Sequence, residues 1–364
     1  MMTSGIHLDA GENALLSRFR GCLLGGALGD ALGYPIEFRS LREIREMHPT
    51  PPTRLPCDSL GVAVVSDDTQ MTLFTAEGMI RAHQRFRDGG ICSSRDVLLH
   101  AYLRWYNTQT DEGRLWGGRG YLVDDPRLRV RRAPGNTCLS ALSEWMREPP
   151  SSVEKRRNDS KGCGAVMRAA PIGLGMRDRQ AAFELGRDAG RLTHGHPLGF
   201  LSSAFLASLV HDIARETALP TAIGNASALT RREHGGRALV EAVDRACSLA
   251  GNGKPDAPTI ESLGGGWVGE EALAIALLCA LTADISSAAG VIDALWRAAA
   301  HSGDSDSTSA IAGNIIGAMV GVEGLEPGWL EHLELRDVID RLARDLFLAT
   351  VMSVELDMED YPPN

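Results

Sequence analysis

Aromatic residues occupy only 5% of the 364 positions, whereas glycine fills 40 of them. That balance disfavours an aromatic-rich β-sandwich and favours closely packed helices. Seven cysteines, at 22, 57, 92, 138, 163, 247 and 279, are scattered, odd in number and form no C-x-x-C pair. They predict reduced thiols in a cytoplasmic protein rather than a disulfide framework. Positive charge is also in deficit: 37 Lys and Arg against 47 Asp and Glu give a net charge of −10. Such a surface repels a polyphosphate backbone, so no nucleic-acid partner is expected, and the short basic runs "RLRVRR" (127–132) and "KRR" (155–157) read as solvated loops. No run approaches 18 uncharged apolar residues, and "MMTSGIHLDAGENALLSRFRG" lacks a basic start followed by an apolar stretch. Neither a membrane span nor a secretion signal is expected. G-x-S-x-G, H-E-x-x-H and G-x-x-x-x-G-K-[ST] are missing too, which leaves nucleophilic-serine, zinc-protease and P-loop chemistry without support.

Helical spacing dominates what remains. Leu73, Ala76 and Ile80 recur on one face after "SDDTQ", as do Ile311, Ile315 and Met319 after "SDST". "EEALAIALLCALTA" (270–283) predicts a helix with acids in its first turn. The best strand candidate, "VAVV" (62–65), is four residues long. Loops are expected at 48–61, 107–136 and 251–266, none of them a Ser/Gly linker, so one large all-α domain is favoured. "GCLLGGALGDALG" carries glycines at 21, 25, 26, 29 and 33, each costing about 1 kcal/mol relative to Ala inside a helix. A buried central helix closely approached by its neighbours would offset that cost. Asp30 and the short apolar length argue against a membrane dimer helix.

Three acidic clusters stand at loop-to-helix junctions: Glu37, the pair Asp67–Asp68, and the pair Asp304–Asp306. Capping and the helix dipole explain any one of them. Together they are harder to explain so, because like charges repel and two Asp at i, i+2 cannot serve one cap. Carboxylates mixed with the hydroxyls of Ser66, Ser307 and Thr308 supply hard oxygen donors, which suit Mg²⁺ or Mn²⁺ rather than Zn²⁺. An EF-hand from Asp304 fails, since Ser309 and Ile315 stand where Gly and Glu are needed. A D-x-D-x-T phosphatase signature also fails, because the segment before "DSDST" reads as helix, not strand.

The ordered set "GCLLGGALGDALGYPIEF", "SDDTQMTLFTAEG", "NDSKGCGAVMRAAPIG", "LTHGHPLG", "GGGWVGEEALAIAL" and "HSGDSDSTSAIAGNIIGAMVG" resembles the ADP-ribosylglycohydrolase family. The resemblance runs from residue 21 to about 321 and sets 1–20 apart as an N-terminal extension to a domain at 21–364. It implies an all-α single orthogonal helical bundle with a central binuclear metal cleft for two Mg²⁺ or Mn²⁺ ions. The ligands it implies are Glu37, Ser66, Asp67, Asp68, Asp304, Asp306 and Ser307, with Asp306 between the ions. Glu37, Asp67 and Asp304 are implied to be catalytic, Glu37 as the general base. For substrate it implies a phosphate-facing loop at Ser160, Gly162, Cys163 and Gly164, where Cys163 replaces the Asn of other branches. His194 would line the cleft and Trp267 would stack on adenine, although both positions also fit core packing.

The implied activity is metal-dependent removal of ADP-ribose from a modified protein, with arginine as the favoured linkage. Another ADP-ribose linkage is the enzymatic alternative. A third reading makes the chain an immunity protein that neutralises a cognate ADP-ribosyltransferase toxin through its N-terminal extension. Against that, Asp9 and Glu12 in "DAGENALLSRF" form a capping box that would simply start a helix.

Overall fold

The computed structural model describes residues 7–110, 117–147 and 158–362. Among them the chain forms sixteen α-helices: α1 (Ala10–Gly33), α2 (Leu41–Met47), α3 (Asp67–Gly89), α4 (Ser94–Gln109), α5 (Asn136–Arg147), α6 (Ala170–Gly175), α7 (Arg179–Arg191), α8 (Pro197–Ala214), α9 (Leu219–Thr230), α10 (Gly236–Ala250), α11 (Ala257–Glu261), α12 (Gly269–Leu281), α13 (Ala288–Ala299), α14 (Ser305–Val320), α15 (Pro327–Leu330) and α16 (Arg336–Thr350). Two isolated bridges, Ala63 with Leu333 and Gly162 with Val268, are the only β pairing among the described residues. "VAVV" is therefore not a strand. Its Ala63 exchanges hydrogen bonds with His332 and Glu334 alone, which ties the α2–α3 loop to the turn before α16.

The glycine-rich segment forms the second half of α1, buried from Gly21 to Gly33 and packed antiparallel on α14. A Cβ on Gly21 would lie 2.4 Å from the Gly317 carbonyl oxygen, one on Gly25 2.5 Å from that of Gly313, and one on Gly29 2.1 Å from that of Ser309. Backbone touches backbone along this seam, which is what offsets the low helix propensity of glycine. α1 begins at the expected capping box: Asp9 Oδ1 accepts from Glu12 N and Glu12 Oε2 from Asp9 N, both at 2.8 Å. It runs without a break through residue 20, and its early turns are tied down by Arg18–Glu216 and Arg20–Asp340, each 2.5 Å.

Around this pair lie α3, with Leu73, Ala76 and Ile80 buried, together with α16, α12, α13 and α8. α8 has the length and hydropathy of a membrane span, but 89% of it is buried among the other helices of the bundle. The loop expected at 251–266 contains α11, which sequence reading missed; Asp256 caps it and Pro258 sits in its first turn. The "RLRVRR" run is engaged within the protein: Arg127 pairs with Asp125 and Asp337, Arg132 with Glu334, and Arg129 donates to the Val123 carbonyl. "KRR" at 155–157 lies outside the described residues. All seven cysteines are free.

Candidate active site

The end of α1 meets the starts of α3 and α14, and each helix start brings acids with it. Ser66 is the N-cap of α3, its Oγ accepting from Asp68 N at 3.2 Å, so Asp67 and Asp68 fall in the first turn. Asp304 caps α14 by accepting from Ser307 N at 3.3 Å through Oδ1. Its other oxygen, Oδ2, faces the Cys163 thiol at 2.9 Å. One aspartate is thus both a cap and a member of the cluster. The approach of the Gly265 backbone explains "SGD": Asp304 N donates to the Gly265 carbonyl at 2.8 Å, and a Cβ on Gly303, whose φ is 155°, would stand 2.0 Å from that oxygen.

Ligand oxygens of Glu37, Asp304 and Asp306 all lie within 4.8 Å of one another. Asp67 and Asp68 are buried alongside, Asp67 accepting from Gly135 N at 3.2 Å and Asp68 interacting with Ser307. Burial, then the neighbouring carboxylates Asp304 and Asp67, raises the proton affinity of Glu37 to about 8. Burial likewise lifts Asp67 to about 8, and Asp68 and Asp306 well above the ordinary carboxylate range. None of the five pairs with a basic side chain among the described residues; the adjacent Arg132 is turned to Glu334. Asp68 Oδ1 is buried without a hydrogen-bond partner. An orphaned carboxylate oxygen in an uncompensated cluster of hard oxygen donors fits a divalent cation.

Behind the cluster is a residue that sequence reading used only to reject a membrane helix. Asp30 is fully buried in α1 and accepts from Ser66 N and Thr69 N at 3.0 Å and from Thr69 Oγ1 at 2.5 Å. Burial raises it to about 6 against the pull of those bonds. It fixes the entry to α3, and hence the direction of Asp67 and Asp68. An acid inside an otherwise apolar, glycine-rich helix was the available signal.

The opposite wall is the 158–165 loop joined to residues 267–269, with Cys163 N donating to the Trp267 carbonyl at 3.2 Å and Gly269 N to that of Lys161 at 2.8 Å. The N–H groups of Ser160, Gly162 and Cys163 are engaged internally, with Asn158, Ser160 Oγ and Trp267. His194 lies buried beneath this loop, its Nε2 3.3 Å from where a Cβ on Gly162 would stand. Burial and then Arg168 lower it to about 3, which favours the neutral imidazole, whose Nδ1 lies 2.8 Å from Thr193 Oγ1. Trp267 is 43% exposed and stacks on Phe38, 69% exposed, with centroids 5.2 Å apart and planes 22° apart. Phe38, next to Glu37 and in the left-handed region at φ 64°, was missed by sequence reading.

The sequence matches the family profile "ADP-ribosylglycohydrolase" over residues 11–354. It is 26% identical to bovine ADP-ribosylhydrolase ARH3, covering 95% of this chain and 96% of that protein. It is 25% identical to ADP-ribosylarginine hydrolase Tri1 of Pseudomonas putida, covering 94% and 81%. With the ADP-ribosyl-[dinitrogen reductase] glycohydrolase of Rhodospirillum rubrum it shares 24% identity over 88% and 91%. Among solved structures, a chain of an "ADP-ribosylglycohydrolase-related protein complex" has the same fold, with a TM-score of 0.62 at 23% identity over 93% of this chain and 99% of that one. With a match to nearly its whole length and the same helical fold, the chain belongs to the ADP-ribosylglycohydrolase family.

Proposed function

We propose that the protein hydrolyses the N-glycosidic bond between ADP-ribose and an arginine of a modified protein. The observation that carries this reading is the meeting of Glu37, Asp304 and Asp306 within 4.8 Å, uncompensated, in a chain of this family. Asp67, Asp68, Asp304 and Asp306, with Glu37 and the hydroxyls of Ser66 and Ser307, would hold two divalent cations, Mg²⁺ or Mn²⁺. When bound, such cations supply the charge that acidifies water and grips ribose hydroxyls.

The chain's own residues divide the remaining work by exposure. The four aspartates are buried, whereas Glu37 is only half-buried and is the carboxylate that water and substrate can reach. Glu37 Oε takes the proton of the attacking water and returns it to the departing guanidine nitrogen. Bond cleavage passes through an oxocarbenium-like state, so the fixed carboxylates also stabilise positive charge at the anomeric carbon. Trp267 receives the adenine, and the diphosphate lies along the 160–164 loop with the Ser160 hydroxyl as its polar contact.

Arginine is favoured because two similar bacterial proteins bear the name ADP-ribosylarginine hydrolase, but ADP-ribosylhydrolase ARH3 is as similar. The test is therefore a panel of arginine-, serine- and poly-ADP-ribosylated substrates, with and without EDTA. Release from the arginine-linked substrate alone, abolished by EDTA, is the expected result. Release from another linkage corrects the substrate, and release from none overturns the reading. Glu37→Gln should lower turnover by about 10²- to 10⁴-fold; full turnover at normal cation content removes Glu37 from its role. The toxin-neutralising alternative gains no support, since residues 10–20 are the first turns of α1 itself.

A further inference from the structure

Asp67 is gripped at both ends by the loop that precedes α5. Its N–H donates to the Arg132 carbonyl at 3.0 Å, and Gly135 N donates back to Asp67 Oδ2 at 3.2 Å. Between these contacts Ala133 lies in the left-handed region at φ 51°, a conformation that a residue with a Cβ keeps only when its surroundings impose it. The groups that impose it lie outside the loop. Arg132 pairs with Glu334 at 3.1 Å, and Gln70 Nε2 donates to the Val130 carbonyl at 3.0 Å. Gln70 is 2% exposed and follows Asp67 by three residues on α3. Its carboxamide has one possible orientation. The Trp105 indole can only donate, so at 3.2 Å it takes Oε1, where Gln109 Nε2 also arrives at 3.0 Å. That leaves the amide nitrogen for the Val130 carbonyl, which can only accept. Two residues of α4 thus aim a donor of α3 at the loop.

We propose that Gln70 is a positioning residue for the acidic cluster: it holds the 130–135 loop in the shape that brings Gly135 N–H to Asp67 Oδ2. A carboxylate already fixed through one oxygen gives up less freedom when it takes a cation, so cation affinity depends on a glutamine that is not itself a ligand. The inference rests on reading the cluster as a cation site, and its test separates the two.

Full-length protein freed of metal with EDTA is titrated calorimetrically with Mg²⁺ and with Mn²⁺. Gln70→Met, which keeps the length of the side chain without its amide, should lose on the order of 10- to 100-fold in affinity. Gly135→Pro deletes the donor itself, at a position where a Cβ would meet nothing within 4 Å, and should show a loss of the same order. Thr75→Val controls for general loosening. It removes a buried hydroxyl that contacts the Met71 carbonyl and the Tyr102 hydroxyl between α3 and α4, away from the loop, and should leave affinity unchanged. Hydrogen exchange of the metal-free protein gives a second readout: in Gln70→Met the amides of Asp67 and Gly135 should exchange roughly 5- to 10-fold faster, the worth of one hydrogen bond. Circular dichroism checks the fold of each variant, and Gln70→Leu replaces a methionine variant that does not fold. Wild-type affinity in Gln70→Met or in Gly135→Pro, unchanged exchange of the two amides, or an equal loss of affinity in Thr75→Val overturns the positioning role alone. Failure of the wild type to bind either cation overturns the cation reading and the role of Gln70 with it.

Discussion

The α1–α14 pair changes character along its length. From Gly21 to Gly29 the two helices meet backbone to backbone at Gly21, Gly25 and Gly29, with the uncharged Asn314 side chain against Gly26 donating to the Cys22 carbonyl at 2.8 Å. One turn beyond Gly33 the same pair opens onto Glu37, Asp304 and Asp306, which repel one another without a basic partner. The seam is packed to contact, while the cleft keeps an orphaned oxygen and raised proton affinities. A cluster that destabilises the fold needs a scaffold that does not yield, and the seam supplies it.

The contrast predicts that a single methyl group in the seam has the largest effect on folding. Gly25→Ala places a Cβ 2.5 Å from the Gly313 carbonyl oxygen, against backbone that cannot turn aside. The expected loss is at least about 3 kcal/mol, the upper end of what overpacking a core costs, read from urea melts. Gly224→Ala in α9, where the new Cβ meets nothing within 4 Å, should instead gain about 0.5–1 kcal/mol. Equal stability of the two variants would remove the distinction between packed and open glycines.

In the cleft, removing a group should stabilise. Asp306→Asn deletes a buried charge whose partners are other carboxylates, so metal-free protein at pH ~8 should gain at least about 1 kcal/mol, the worth of one pKa unit. The same change should weaken Mg²⁺ or Mn²⁺ binding by on the order of 10- to 100-fold. The pH dependence follows from the same shifts. Glu37 and Asp67 are raised to about 8 in the fold, so the folded chain holds protons that the unfolded chain releases near pH 4. Their contribution to stability is complete below that lower value and is lost as pH climbs through about 8. Melts in EDTA should therefore fall between pH ~5 and ~9, and a divalent cation should flatten the slope. A flat profile in EDTA, or a less stable Asp306→Asn, would mean that the cluster is compensated in a way the side chains do not show.

Local physics explains what was legible in the sequence. The 3.6-residue spacing of Leu73, Ala76 and Ile80, and of Ile311 and Ile315, marks helix faces that the fold buries. Glycine spacing marks the seam, and hydroxyl–acid pairs mark the starts of α3 and α14. What escaped depends on partners far along the chain. Cys163 and Asp304 are 141 residues apart, and only the packing of the 158–165 loop against α14 shows that a sulfur borders the oxygen cluster. Asp30 gains its meaning from the backbone of Ser66 and Thr69. "VAVV" has strand composition but a single bridging partner, so no sheet forms. The notion of backbone donors for phosphate at Ser160 and Gly162 meets N–H groups that the loop itself occupies.

The smallest expected effect lies at the rim, where the cleft borrows an aromatic pair. With ring centroids 5.2 Å apart and planes nearly parallel, no space remains for a base between Phe38 and Trp267. Phe38 thus covers one face of Trp267; were adenine to stack on that face, ADP-ribose would have to displace it. Trp267→Ala should weaken ADP-ribose binding by about 1–3 kcal/mol, the worth of one base stacked on an aromatic. Phe38→Ala should act in the opposite sense, tightening it by no more than the 0.5–1.5 kcal/mol or so that an aromatic pair contributes. Calorimetry on the two variants decides the point: parallel losses would make Phe38 part of the adenine platform, whereas opposite signs make it a cover that the ligand lifts.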